Sequence, residues 1–439
     1  MRVIVIGGGA VGLCVAEALA SGGAELTVFE RDRCGAGASA GNAGWITPSL
    51  AVPVPGPGVI GESLRWLLDR SGPLWIRPTL SPAMLAWIAR FVASCARPAY
   101  QRGLVALQRA GACAGPAFDR LAERGVEFEL HEEPLLYPAF EQSELEHLWR
   151  VSDELRGVGI VDPLDRLSAT ELHALEPALS ERVIGGVVGR SDRQVRPEVL
   201  CAGVRGALVA HGAEVFETHP VDALIRDGST WIVESRSVIR RAEAVVLAGG
   251  VASVQLLQTL GVRLPIAAAK GYSRTYTSHP SGPRRALYLE APKVAISVFD
   301  GAVRVSGTLE LGARSLRLSD RRLAAITAAA QQALPGWEMP THPRDWAGMR
   351  SLSPDGLPFI GPVPGWDGIH LATGHATLGI TLAPLTGELL APLLLEGRRS
   401  ELLDAFDPAR ALADRAHMRQ LGRDYLQRLR VRWQTRGGN

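Results

Sequence analysis

Residues 2 to 30 read RVIVIGGGAVGLCVAEALASGGAELTVFE, and this stretch decides the fold. RVIVIG has the continuous apolarity of a strand buried on both faces. GGGAVGLCVAEALASGG follows as a glycine turn feeding a helix that ends at Gly22 and Gly23, and AELTVFE is a second buried strand. Together they make one βαβ unit, whose crossover is right-handed by rule. Gly7-x-Gly9-x-x-Gly12 sits at the strand-to-helix turn, and Glu30 closes the second strand. In a chain with 48 glycines the spacing alone says little; a strand before it and a helix after it make it specific. The first glycine permits the turn, the second lets backbone approach a pyrophosphate, and the third lets helix and strand pack closely. The phosphates then meet the helix N-terminus, and Glu30 accepts from ribose hydroxyls.

Working outward, 439 residues exceed one ordinary domain, so two domains are expected. The composition, 46% hydrophobic and 21% charged, is that of a folded soluble protein. A formal charge of +2 gives no case for a nucleic-acid partner, although residues 398 to 436 are rich in arginine. Five cysteines without a CxxC pair suit a reducing compartment and argue against a structural zinc site, so no metal is expected. Neither a secretory leader nor an 18-residue apolar run is present, which leads to the expectation of a cytoplasmic protein.

Residues 31 to 57 are crowded with Gly, Ala, Ser and Pro, and a loop of that length inside a domain is usually functional. Residues 60 to 124 read as helical, with Trp66, Trp75 and Trp87 as core. Residues 126 to 138 read as a hairpin, followed by a helix over 141 to 155. Arg196-Pro197-Glu198 opens a helix through His211. VDALIRDGSTWIVES turns at Asp227-Gly228 as a hairpin, and VVLAGG is a third buried strand. Alternation from 262 to 312 predicts an antiparallel sheet, and 319 to 334 an amphipathic helix. GIHLATG is a last buried strand, leading into a helix read as HATLGITLAPLTGELLAPLLLEG.

That last junction, residues 372 to 379, is a second place where a helix N-terminus could stabilise negative charge. Reduced flavin carries such charge and reduced nicotinamide does not, which favours FAD over NAD; a plain core helix is the alternative reading. Arg350, in WAGMRSLSPDGLPFIGPV, stands alone among small and apolar residues. A planar guanidinium there offers two parallel hydrogen bonds to a carboxylate.

GGGAVG, SAGNAG at 39 to 44, DRQVRP at 192 to 197, VVLAGG, KGY at 270 to 272, MRSLSPDGLPFIGP and GHATLG at 374 to 379 occur in the order seen in the FAD-dependent D-amino-acid oxidase superfamily. The chain resembles that superfamily up to about residue 397, and within it the bacterial D-amino-acid dehydrogenases and glyphosate oxidoreductase-like enzymes. The resemblance implies an α/β fold: a discontinuous Rossmann-type FAD-binding domain (1–60, 150–220, 340–439) and an antiparallel-sheet substrate or cap domain (61–149, 225–339). It implies FAD held by Gly7, Gly8, Gly9, Ala10, Val11, Gly12, Glu30 and Arg31, with Ser39, Asn42, Ala43 and Gly44 along the ring and pyrophosphate. Val221, Ala248 and Gly249 would lie at the adenine end, and Gly374, Thr377, Leu378, Gly379, Ile380 and Thr381 at the pyrimidine edge. Arg350 matches the carboxylate-binding arginine, while Tyr272 and His375 are pocket liners by their places in KGY and GHATLG, or else buried structural residues.

The implied reaction is oxidative deamination of a small amino acid, a D-amino acid first: hydride moves from Cα to flavin N5, and the imine hydrolyses to a 2-oxo acid and ammonia. Oxygen or a quinone would take the electrons. One alternative substrate is a secondary amine acid such as sarcosine, hydroxyproline or glyphosate. A flavin-bearing subunit with little turnover of its own is the alternative of another class. Trp45 stands where relatives often have a smaller or polar residue, and Cys34 does not match known flavin-attachment positions. Residues 405 to 436 read as a basic helix, either solvated or in weak contact with an anionic membrane or a partner. The oligomeric state is not legible.

Overall fold

The computed structural model describes residues 1–61, 72–77, 81–160 and 164–412. Its first sheet is built on the opening βαβ unit. Arg2–Ile6 pairs in parallel with Glu25–Phe29 on one side and Ala244–Leu247 on the other. The full order runs Glu214–Phe216, Glu25–Phe29, Arg2–Ile6, Ala244–Leu247, Ile369–Thr373, Phe359–Pro362, with the last strand antiparallel. Continuous apolarity has the expected cause, since alternate residues of one strand enter different cores. Val3 and Val5 pack with the helices Ala10–Ser21, Pro197–Ala210 and Ala383–Glu396. Ile4 and Ile6 pack on the other side with Leu224, Trp231 and Val233 of a three-stranded sheet over residues 223–242. That sheet contains the expected hairpin, with Asp227 opposite Thr230.

A nine-stranded sheet forms the second layer. Its path is Arg344–Leu352, Ala267–Thr277, Ala302–Leu311, Val294–Phe299, Leu287–Leu289, Leu135–Ala139, Gly185–Gly189, Asp165–Ser168, with Leu74–Ile76 added beside Ala302–Leu311. Helix Asp320–Ala333 covers one face through Leu323, Ile326 and Ala330. A small sheet of Trp45–Ile46, Arg193–Val195 and Leu130–His131 ties the long loop to both layers.

Three expectations are corrected. Residues 126–138 are no hairpin: Leu130–His131 pairs with Arg193–Val195, while Leu135–Ala139 pairs with Gly185–Gly189 in another sheet. Pro134 stands between them, without the N–H that a tight ladder requires. The helix after GIHLATG begins at Ala383 rather than His375, because Gly374 and Ala376 both take positive φ (80° and 51°) and Pro384 fixes the first turn. At 405–412 the chain forms the end of a short helix, Leu403–Phe406, and a 3₁₀ turn, Pro408–Arg410, instead of one basic helix. The rest of that expected helix lies outside the described residues, as does Trp66. Trp87 is core, 5% exposed, and Trp75 is half-buried. Among the described residues no helix is long and apolar enough to cross a membrane.

Candidate active site

The nucleotide end is set by three glycines with separate reasons. Gly7 has φ 117°, and a Cβ there would lie 2.6 Å from the Ala248 carbonyl carbon and the Gly249 nitrogen. A Cβ on Gly12 would lie 1.9 Å from the Gly7 oxygen, so helix and strand touch there. Gly9 differs, because its added Cβ would meet only Ser39 Oγ, at 3.5 Å. Packing demands Gly7 and Gly12; the bare backbone of Gly9 faces a cradle open to a ligand. The helix that starts at Ala10 and Val11 gets no cap from Gly9 and has no acid in its first turn; Ser39 Oγ takes the Ala10 N–H, and the remaining positive end is left to an anion. A pyrophosphate fits this cradle.

Glu30 is held in place by backbone: Gly8 N–H donates to Oε2 at 2.7 Å and Asp32 N–H to Oε1 at 2.9 Å. Each oxygen keeps a lone pair for a ribose hydroxyl. His219 N–H donates to the Glu30 carbonyl, which lays the segment leading to half-buried Val221 beside it. Arg31 is exposed and pairs with Asp32 at 3.4 Å.

The loop 39–44 is pinned from several directions. Ser39 Oγ accepts from Ala10 N–H (3.0 Å), and Asn42 Oδ1 from Gly44 N–H (2.8 Å). Fully buried Arg304 donates Nη1–H to the Asn42 carbonyl (2.7 Å) and bonds Glu198 with Nη2. Ser297 Oγ–H donates to the Ala43 carbonyl (2.7 Å). Gly44, at φ 78°, has no room for a Cβ, which would lie 2.0 Å from the Val195 oxygen. Thr381 Oγ1–H donates to the Trp45 carbonyl at 2.9 Å and so joins this loop to the junction 374–381. In that junction Leu378 and Ile380 are buried, Gly379 is half-buried and Thr377 is exposed.

Arg350 lies on the same face as this loop. Trp346, Gly348 and Arg350 alternate on strand Arg344–Leu352, and the Trp346 ring rests on Gly41, where a Cβ would come within 2.1 Å of it. The guanidinium lies across Gly271, whose added Cβ would be 2.1 Å from Nη1. A register shift between Lys270 and Tyr272 and the positive φ of Thr308 (66°) mark a bulge, and Arg350 Nη1–H donates to the Thr308 carbonyl at 3.0 Å. Among the described residues no carboxylate pairs with Arg350. Burial lowers its pKa from the ordinary value, and the Tyr288 hydroxyl opposes that shift. Burial raises Tyr288 well above the usual phenol range, Glu290 adds to the rise, and the Arg350 cation draws it back. Three strands separate theirs in the sheet, so the influence is electrostatic and acts across the sheet. Trp45 and Tyr137 meet the Tyr288 ring edge-on at 5.6 and 6.0 Å, forming one aromatic cluster.

Two sequence candidates fall elsewhere. Tyr272 pairs with Ala347, on the opposite face from Arg350, and its ring sits in the core with Tyr276, Leu323 and Ile326. His375 is 5% exposed, its Nε2 is bonded to Thr386 Oγ1 at 3.0 Å, and burial lowers its pKa to about 3. Both side chains are buried among protein groups. Tyr288, Gly271, Thr308 and Arg304 were not singled out from sequence: ALYLEA shows a strand, but which face meets Arg350 depends on strand order and register.

Known proteins are similar to this chain over most of its length. The D-amino acid dehydrogenase of Methylobacterium nodulans is 33% identical over 418 residues, covering 92% of this chain and 97% of that one. The D-amino acid dehydrogenase of Xanthobacter autotrophicus is 30% identical over 420 residues, covering 93% and 98%. Glycine oxidase from Geobacillus kaustophilus superposes with a TM-score of 0.72 at 25% identity, over 93% of this chain and 99% of that one. The family model described as FAD dependent oxidoreductase matches residues 2–393, and the chain belongs to the FAD-dependent oxidoreductase family.

Proposed function

We propose that this protein oxidises a small amino acid with a free α-carboxylate, a D-amino acid first, with Arg350 as the carboxylate anchor. The observation that carries the reading is the Arg350 guanidinium, half-buried, without a carboxylate partner among the described residues and held over Gly271 by one bond to Thr308. A half-buried cation without a counter-ion loses part of its hydration, and an anionic substrate offsets that cost. Its remaining N–H groups form the fork that a carboxylate fills in two parallel bonds. The names of the relatives, D-amino acid dehydrogenase in two bacteria and glycine oxidase in a third, support this substrate class.

FAD, when bound, supplies the hydride acceptor that turns the amine into an imine. The chain's own residues do the orienting. Thr308 and the bulge fix the plane of the guanidinium, and the Tyr288 hydroxyl acts on it electrostatically from a cluster with Trp45 and Tyr137. His375 remains neutral and anchors the junction to helix Ala383–Glu396 through Thr386. We also divide the chain by its cores: residues 223–242 go with the nucleotide-binding unit, and strands Asp165–Ser168 and Gly185–Gly189 with the large sheet.

The test is anaerobic bleaching of the yellow protein by D-alanine, L-alanine and N-methylglycine, followed by reoxidation with air or a soluble quinone. Bleaching by D-alanine first supports the reading. Preference for N-methylglycine moves it to secondary amine acids, and no bleaching by any of the three contradicts it.

A further inference from the structure

Helix Pro82–Ser94 carries an anomaly on its outer side. Its inner stripe is ordinary: Met84, Trp87, Ile88 and Phe91 pack on Leu311 and Leu352, and Trp87 Nε1–H donates to the Leu352 carbonyl at 3.1 Å. The opposite face of a surface helix is normally charged or polar. Here Ala83, Leu85, Ala86, Ala89 and Val92 are exposed, Leu85 at 51% and Val92 at 46%, with Arg90 the lone charge among them. Next to it, loop 313–318 exposes Leu316 (52%) and Leu318 (42%). Loop and helix are neighbours, because a Cβ on Gly312 would meet Met84 at 3.4 Å and Arg77 at 3.6 Å.

The charge around this apolar surface is mostly positive, exposed Asp320 apart. From residue 72 to 118 the sequence contains no Asp or Glu, while Arg77, Arg90, Arg97 and Arg102 are exposed. Arg314 and Arg317 flank the exposed leucines of the loop. Among the described residues none of these six arginines pairs with a carboxylate. From apolar side chains rimmed by free arginines, we propose that the outer face of helix Pro82–Ser94, with loop 313–318, docks on an anionic lipid bilayer.

Length fits a helix lying in the plane. Thirteen residues span about 20 Å, short of the hydrocarbon thickness of about 30 Å. Apolar residues enter the headgroup boundary, and arginines at the margin meet lipid phosphates. A second copy of the chain fits less well, because two-fold docking would set the same arginines against each other. The arginine-rich segment after residue 412 also bears like charge. The inference goes beyond the proposed reaction and does not depend on it. Its consequence is that the membrane would lie behind Trp87, two residues from Arg350 through Leu352.

The test uses full-length, FAD-loaded protein floated with vesicles of phosphatidylcholine alone or of phosphatidylcholine with phosphatidylglycerol, at low and high salt. Wild type should bind the anionic vesicles, less at high salt. Leu85→Glu/Val92→Glu should lower the partition about tenfold or more, with FAD content and substrate bleaching unchanged. Arg90→Glu, a milder exposed change, should lower it too. Three results would overturn the proposal: wild type remaining off anionic vesicles, equal binding by the double variant, which would assign binding to another surface, or a wild-type dimer that the double variant splits.

Discussion

The guanidinium of Arg350 lies so close over Gly271 that a single added carbon there would sit 2.1 Å from Nη1. The glycine of KGY is thus the floor on which the proposed anchor rests, and Tyr272 beside it points the other way. Gly271→Ala should displace the guanidinium and leave the FAD site intact. Losing one of two charge-assisted bonds costs about 1.5–3 kcal/mol, so kcat/KM should fall about ten- to hundredfold. Steady-state kinetics beside the flavin spectrum check this, and unchanged kinetics would mean the cation has no fixed task.

Two tyrosines separate the faces of the sheet. Tyr288→Phe should raise KM several-fold, because its hydroxyl stands within electrostatic reach of Arg350. Tyr272→Phe should leave KM alone, since its ring is buried in the opposite core. The reverse pattern would place the substrate on the wrong side of the sheet.

The glycine turn separates folding from cofactor binding. Gly12→Ala forces a Cβ to within 1.9 Å of the Gly7 oxygen and should prevent soluble expression or cost about 3 kcal/mol or more. Gly9→Ala meets nothing closer than Ser39 Oγ at 3.5 Å. It should therefore fold with an apoprotein Tm near wild type and bind FAD at least about tenfold more weakly. FAD titration of the two apoproteins is the check, and equal FAD affinity in Gly9→Ala would count against the cradle.

Acid should destabilise the protein through its buried histidines. Burial lowers His375 from an ordinary 6.5 to about 3 and His370 to about 4. Depressed groups are neutral in the fold, so their stabilisation is complete above pH 6.5 and is lost as pH falls toward the folded values. The slope is about 1.4 kcal/mol per pH unit for each proton taken up. Asp192, pushed up to about 6 by burial from 3.8, acts oppositely, its stabilisation being present below 3.8 and lost as pH rises through 6. Comparing wild type with His375→Gln isolates one histidine: Tm of the variant should fall less between pH 6.5 and 4. Identical curves would show that His375 does not titrate on unfolding.

Local signals were legible and long-range geometry was not. The βαβ unit, its three glycines and Glu30 could be read because strand, turn and helix are neighbours in sequence. The hairpin at Asp227-Gly228 was readable for the same reason. The supposed hairpin at 126–138 failed because its two strands join different sheets, a choice made by partners some 55 residues away. The helix expected at His375 failed because Ala376 takes a left-handed conformation that no residue type announces. Arg350 stood out as a lone cation among small residues. Gly271, Thr308 and Tyr288 could not, since a bulge and the strand order of a nine-stranded sheet set their relation to it.

The most direct measurement of the central claim is anaerobic titration of wild type and Arg350→Ala with a D-amino acid, following flavin absorbance. Arg350→Ala should keep its FAD and yellow colour. Removing one partner of a desolvated charge pair costs about 2–5 kcal/mol, so its bleaching should need at least about thirtyfold more substrate or fail. Bleaching as in wild type, at the same substrate concentration, would contradict the account.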